Sequence, residues 1–569
     1  MMNKRQMRMR PSGRVLHVIA AAAAMVVASG VQAVEIETDN PDVKARADLT
    51  LRYNLARRME AQDSRLMKFA TTDEGNAKFK KGDTVTNRID ALGELDINYK
   101  GDFGVRVSAA TWYDKAYSDR SVSSPAGSAT SYNNNQYSSE VNRFVHGPSG
   151  EFLDAFVWKN FDLGDAPTNV KLGRHTVVWG EGLLIGAHAI SNGQSPIDGV
   201  KAVSSPGIET KEVFLPINQL TFKSQVTDKL SIAGQYALEW RPTRVPYAGT
   251  YLMGADNAPG VDRFALGGPL TMANTTAKTS GDKNYGISAR LDVDSIDATL
   301  GAYYRVYNDT NPETGIQLQG FGQNPMMNAP TVPATFRFVY PEETKVVGLS
   351  ISKPIGPVSV GAELSYRKGS HLNSASSYTT TSTGATGDTI HAVVNGVYLL
   401  PKSALWDTGS LIGELAYSQL DKITANESLY RGVGYASCKI ATGATGAGTP
   451  GNVTDTCSTK DYWGVAVRFT PQYLGIMPSW DLSVPVAINY GLKGTAATGG
   501  GGFEGLLTWS VGLGATYANK HDFSLTYADA SVPTKYNTAG TTAVGGNALN
   551  SSVGATDRGR LLFTYKTSF

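Results

Sequence analysis

The chain has 569 residues, 52 basic and 50 acidic side chains, 61 glycines and two cysteines. A near-neutral balance without a basic cluster gives no electrostatic reason to expect nucleic acid as a partner. No segment beyond residue 33 approaches the roughly 18 consecutive apolar residues of a transmembrane helix, so any membrane crossing must use strands.

Residues 1–33 carry Lys4, Arg5, Arg8, Arg10 and Arg14, then an apolar run from Val15 to Ala28, then Val31-Gln32-Ala33 at a small-residue cleavage site. This reads as a secretory signal peptide and not a membrane anchor, because the apolar run is too short to span comfortably. Its removal takes five of the 52 basic residues and none of the 50 acidic ones, leaving 47 against 50 and a mature net charge of −3. The mature chain is expected to begin near Val34.

Beyond it the dominant pattern has period two. A first strand is predicted near Leu49 to Leu55. Ile89, Ala91, Leu95, Ile97 and Tyr99 then alternate with Arg88, Asp90, Glu94, Asp96 and Asn98. After Lys100-Gly101-Asp102, Phe103, Val105, Val107, Ala109 and Tyr113 form a second apolar row against Arg106, Ser108 and Asp114. A wall with lipid on one side and water on the other demands this alternation. A soluble sandwich would also bury the apolar row, but it rarely needs strands this long. The pattern recurs around Thr227-Asp228-Lys229, around Asp294-Ser295, between Pro354 and Pro357, and around Asn519-Lys520-His521. In the last segment Leu561, Phe563, Tyr565 and Phe569 alternate with Leu562, Thr564, Lys566 and Ser568. Phe563, Tyr565 and the final Phe569 resemble the signal read by the barrel-assembly machinery, although Thr567 stands where an apolar residue is usual.

One strand, eight hairpins and a closing strand make an all-β, transmembrane antiparallel β-barrel of about 18 strands, or 16 if the hairpins near residues 400 and 475 fail. An even number closes the sheet with both chain ends on the side of the short periplasmic turns. The long extracellular connections then fall near residues 59–87, 115–150, 180–212, 241–282, 308–343, 368–389, 421–459, 491–506 and 531–557. Residues 34–569 form one domain whose lumen is wide enough to hold water unless loops fill it. A soluble β-solenoid is the competing architecture. Cys438 and Cys457 lie 19 residues apart. In an oxidising compartment they most simply pair to staple one loop, contributing roughly 3 kcal/mol to its order. No histidine lies between them, which argues against a metal site.

One region has too specific a composition for a plain loop. Gly173-Arg174-His175-Thr176-Val177-Val178-Trp179-Gly180-Glu181 runs on to Ser205-Pro206-Gly207-Ile208-Glu209-Thr210-Lys211-Glu212. Together with Leu238-Glu239-Trp240-Arg241-Pro242, Gly249-Thr250-Tyr251, Tyr340-Pro341-Glu342 and Glu363-Leu364-Ser365-Tyr366-Arg367, these runs resemble the bacterial envelope family catalogued as domain of unknown function 1302. His175 stands where that family usually carries Gln. The resemblance spans nearly the whole mature chain. It implies an outer-membrane protein associated with an inner-membrane exporter of the resistance-nodulation-division type and a periplasmic or lipoprotein-like partner. The implied cargo is a hydrophobic or lipid-like molecule, and no cofactor is implied. The alternative function is a passive porin-like channel for small polar solutes.

Residues 180–212 form the third long loop, expected to fold inward. Placing Glu181, Glu209, Lys211, Glu212 and the nearby Arg174 there, with Trp179 beside them, makes either a charged constriction or a set of pairs that pins the loop to the wall. Glu239, Arg290, Arg305, Glu363, Arg367 and Glu414 are expected to face the lumen, where they either line a path or are simply solvated. An enzyme is the less favoured class. Only His146, His175, His188, His371, His391 and His521 remain as bases after cleavage, no nucleophile elbow or metal spacing surrounds them, and His188-Ala189-Ile190-Ser191 is suggestive by proximity alone.

Overall fold

The computed structural model describes residues 34–68, 71–126, 129–204, 210–256, 258–267, 270–275, 277, 284–324, 329–379, 383–440, 449–541, 543–546 and 555–569. The expected signal peptide, residues 1–33, lies outside them. Strand formation follows the alternation in the sequence. The barrel strands are β1 Val43–Arg58, β2 Thr84–Tyr99, β3 Phe103–Asp114, β4 Ser149–Leu163, β5 Ala166–His175 and β6 Ile217–Gln225. They continue as β7 Leu230–Ala237, β8 Tyr285–Val293, β9 Ala298–Tyr307, β10 Thr344–Ile355, β11 Val358–His371 and β12 Thr386–Leu399. The ring is completed by β13 Thr408–Ala425, β14 Asp461–Met477, β15, β16 Leu507–Tyr517, β17 His521–Ser531 and β18 Arg560–Ser568. Strand β15 comes in two pieces, Trp480–Ser483 and Val486–Lys493, both of which pair with β14 and β16.

Each strand pairs antiparallel with its sequence neighbours, and β1 pairs with β18 from Thr50↔Ser568 to Arg58↔Arg560, closing the ring at 18 strands. A short strand, Val34–Ile36, extends the β1 edge at Ala45 to Ala47. Closure leaves no barrel edge without a partner, which is the condition for a sheet to span lipid.

The two faces separate as a bilayer requires. Ile89, Leu349, Leu364 and Leu513 point outward and are 52%, 58%, 54% and 54% exposed. A row of large apolar side chains this exposed would be an aggregation hazard in water but matches hydrocarbon. That excludes the solenoid. Tyr99 and Tyr517 stand exposed at the short-turn ends of β2 and β16, where an interfacial girdle belongs. Inward positions are polar and covered: Arg52, Asn54 and Arg58 of β1 are all buried.

The cover comes from the long loops. Tyr117, Tyr132, Tyr137, Tyr247, Tyr251 and Phe336 belong to one buried cluster that also includes Ala56 of β1, Val85 of β2 and Leu562 of β18. The hydroxyls of Tyr132 and Tyr137 donate to the carbonyls of Ala248 and Gly249 at 2.7 and 2.6 Å, so the polar end of each ring is satisfied while its body packs. Five short strands from three loops add a second small sheet: Arg263–Gly267, Leu270–Asn274, Ile316–Asn324, Ala329–Arg337 and Ser377–Tyr378. Cys438 and Cys457 are bonded in the connection from β13 to β14, with their Cα atoms 5.7 Å apart.

Candidate functional site

The connection between β5 and β6 turns into the lumen and crosses it. It leaves the wall after His175 and reaches β13, eight strands away in a ring of eighteen, which is close to the opposite wall. Two carboxylates receive it there. Glu363 of β11 accepts from the backbone N–H groups of Gly182 at 2.8 Å, Ile190 at 2.7 Å and Glu181. Glu414 of β13 accepts from those of Leu183 at 2.6 Å, Leu184 at 2.9 Å and Ile185. Two guanidinium groups hold the carbonyl side. Arg367 donates to Ala187 and Ala189 at 2.9 and 2.8 Å, and Arg305 donates to Ile190 and Asn192 at 2.7 and 3.1 Å. Irregular backbone inside a membrane barrel must satisfy its polar groups with protein, and these four charged side chains do so at charge-assisted strength.

The Trp-Gly-Glu run is the docking head of this plug. Trp179 lies beside Tyr303 of β9, with ring centroids 6.4 Å apart, and its backbone N–H donates to Gln194 at 2.8 Å. Gly180 adopts φ +98° with the carboxyl group of Glu363 in the space a Cβ would fill, so glycine is required on both counts. Glu181 pairs with Arg290 of β8 at 3.0 Å, and its carbonyl accepts from Asn395 of β12 at 2.6 Å. The loop then returns along the near wall. Gln194 donates to Gln235 of β7 at 2.6 Å, Lys201 lies 3.6 Å from Glu151 of β4, and the Val203 carbonyl accepts from Arg560 of β18 at 2.9 Å. At its end, the carboxylate of Glu212 receives both terminal nitrogens of Arg52 of β1, at 2.7 and 3.1 Å, with both side chains buried.

The charged residues singled out from the sequence therefore do not assemble into one ring. Arg174 lies 3.5 Å from Glu239, which also accepts from the backbone and side-chain N–H groups of Asn218. Arg174 and Glu181 thus have separate partners and do not pair with each other. Glu209 and the side chain of Lys211 lie outside the described residues. Of the six residues expected to face the lumen, Arg305, Glu363, Arg367 and Glu414 grip the loop backbone, Arg290 holds Glu181, and Glu239 holds Arg174. The solvated-interior reading gives way because the loop has replaced the solvent. Sequence reasoning missed Arg52, Asn395 and Gln235, whose only signal was their place on inward-facing positions of strands.

His188 and Ser191 are not arranged for nucleophilic catalysis. His188 Nδ1 lies 3.0 Å from Nδ1 of His391 and its Nε2 lies 2.7 Å from the Gly501 carbonyl, so both ring nitrogens are engaged. Burial, reinforced by nearby Arg367, pushes His188 down to about 4. With a docked pKa below the ordinary 6.5, docking is fully favourable above pH 6.5 and is lost as pH falls toward 4, at a cost of about 3 kcal/mol once the ring is protonated. Acid should accordingly loosen the plug. Amide exchange in residues 186–192 should gain protection steadily as pH rises from 4.5 to 7, after correction for intrinsic rates, and His188→Gln should flatten that profile. An unchanged profile in the variant would remove His188 from the effect. Among the described residues no group of three or more His, Cys, Asp or Glu side chains is arranged to hold a metal ion.

One sector of the lumen is left unfilled. Against β14 to β17 lies a cavity of about 610 Å3, bounded on the plug side by Leu184 and Val203 and on the loop side by Tyr251, Leu252 and Arg558. Its wall face carries small residues, Ala466, Ala487, Ser510, Thr526 and Ala528, with Arg468, Arg560 and Asp529 adding charge.

A closed, lipid-facing ring of 18 strands whose lumen is crossed by its own third loop defines a protein of the outer-membrane β-barrel class. The chain belongs to the family described as protein of unknown function (DUF1302), whose model matches residues 14–569. None of the curated proteins matches the chain. Among solved structures it is similar to Pseudomonas aeruginosa OccK2 (OpdF) in complex with glucuronate, at 12% identity and TM-score 0.38, covering 92% of this chain and 98% of that one. It is also similar to the outer membrane channel DcaP of Acinetobacter baumannii, at 11% and 0.36, covering 94% and 100%. A third is Acinetobacter baumannii OccAB1, at 10% and 0.41, covering 92% and 96%. Likenesses this distant extend to no ligand or activity, and the barrel rests on its own strand pairing.

Proposed function

We propose that this protein is a loop-closed outer-membrane conduit that takes part in moving a hydrophobic or lipid-like molecule across the envelope. Residues 1–33 direct its export. An inner-membrane exporter of the resistance-nodulation-division type and a periplasmic or lipoprotein-like partner work with it, as its family resemblance implies. The observation that carries the reading is how the lumen's charges are used. A passive channel for polar solutes keeps charged side chains free to line a water path. Here Arg305, Glu363, Arg367 and Glu414 are consumed by the plug backbone, and the space that remains is amphipathic, bounded mainly by aliphatic and small side chains with Arg468, Arg558, Arg560 and Asp529 among them.

Single-channel conductance of the mature protein in a planar bilayer tests this. The intact protein should be silent, and deletion within residues 183–205 should produce steady open steps. Steady steps in the intact protein would instead favour the porin-like channel for polar solutes.

A further inference from the structure

The wall is thinly bonded where the cavity touches it. The register runs on unbroken from Gln472↔Ser483 to Phe469↔Val486 and from Ser483↔Gly514 to Val486↔Val511, but regular pairing of β15 lapses between Ser483 and Val486, at Val484 and Pro485. Pro471 lies opposite on β14. Its carbonyl accepts from the Val484 N–H at 3.0 Å, and the Pro485 carbonyl accepts from the Gly512 N–H of β16 at 2.9 Å. In an antiparallel ladder the N–H and C=O of one residue point to the same neighbour and are exchanged as a pair. Proline has no N–H to return. Each junction thus keeps one hydrogen bond where an ordinary narrow pair has two, one donor missing from Pro471 of β14 and the other from Pro485 of β15, so that β15 is thinly held on both sides at the same height.

Pro471 is buried and Val484 and Pro485 are half-buried, so this stretch is covered at rest and must part before anything passes. Pro485 and Val486 line the cavity. On the outer face, Val511 and Leu513 of the adjoining β16 are 41% and 54% exposed, which places this height inside the apolar belt. The β16 residues facing this stretch, Gly512 and Gly514, put no side chain across it. Within the cavity, Leu252, Ala466 and Ala487 offer an apolar surface, and Arg468 and Arg560 offer cationic groups. From this juxtaposition we infer that the Pro471–Pro485 stretch is a lateral portal. Through it a lipid-like amphiphile with an anionic head group passes between the cavity and the surrounding bilayer. The inference rests on the conduit reading above and adds the ligand's chemical class and its route.

A staple across this stretch tests it. A Cβ built at Gly514 lies 3.7 Å from that of Ser483, a separation suited to a disulfide. The protein, as Ser483→Cys with Gly514→Cys, is reconstituted in phosphatidylcholine vesicles that contain a diazirine-bearing palmitate. After illumination, labelled residues are mapped by mass spectrometry. The parent and the reduced variant should be labelled at cavity positions such as Ala487, Thr508 and Ser510. Oxidation should slow that labelling at least tenfold, and reductant should restore it, with reductant-treated parent as the control. Pro471→Val with Pro485→Val restores both missing donors and should slow labelling similarly without any new bond. Cavity labelling undiminished in both variants would overturn the portal while leaving the conduit standing. Absence of cavity labelling in every form, including protein refolded with the probe present, would overturn both.

Discussion

Replacing Glu414 and Glu363 together by alanine should release the plug and turn a silent barrel into a conducting one. Each carboxylate receives three backbone N–H groups of the crossing loop, and removing the acceptor strands donors that water reaches only if the loop moves. An unsatisfied buried donor costs about 1–3 kcal/mol, so each substitution costs the docked loop roughly 3–6 kcal/mol after partial relaxation. That exceeds the marginal stability expected of an irregular segment. The double variant should show open steps in a planar bilayer and rapid proteolysis within residues 183–192, while strand pairing persists. Glu→Gln at the same positions should fall between, because an amide keeps one acceptor oxygen but turns an NH2 group toward other donors. A double alanine variant as silent and protease-resistant as the parent would show that the carboxylates do not hold the loop.

The second large effect is expected at the loop's return. Arg52 and Glu212 form a doubly bonded pair with side chains only 3% and 7% exposed. Breaking a buried pair from one side leaves a charge without its partner and costs about 3–5 kcal/mol, whereas removing both partners costs much less. Arg52→Ala should abolish exchange protection at residues 210–216, and adding Glu212→Ala should recover most of it. Equal losses in the single and double variants would mean that the pair is only incidental to docking.

These two predictions also show what the sequence revealed and what it hid. The barrel was legible because a bilayer imposes period two on every strand, so rows such as Ile89, Ile97 and Tyr99 announce their face without knowledge of their neighbours. The docking of the plug was not. Glu363 and Glu414 bond to backbone N–H groups, which every non-proline residue has, so nothing in residues 181–190 marks them as partners. The Trp-Gly-Glu run stood out as a motif, but the reason for its glycine, the Glu363 carboxyl group occupying its Cβ space, lies 183 residues downstream. The loop cluster around Tyr132 and Tyr247 was equally hidden, because loop residues pack without a period. The hairpin near residue 475 was among the least regular in the sequence. Its irregularity is physical: Pro471 and Pro485 remove two ladder donors around β15.

The plug has a consequence for the order of assembly. Its docking sites are encoded later than the plug itself, Glu363 by 173 to 182 residues and Glu414 by 229 to 231. When β5 and β6 first pair, the intervening segment therefore has no receptor, and its N–H groups need water until β8 to β13 arrive. Yet β1 and β18, which also hold it through Arg52 and Arg560, meet only at closure. The far side of the segment can therefore seat only once β8 to β13 are in place, and its return side only once β1 and β18 have met. Pulse-labelling of residues 181–190 during refolding should accordingly show them protected no earlier than the pairing of β12 with β13.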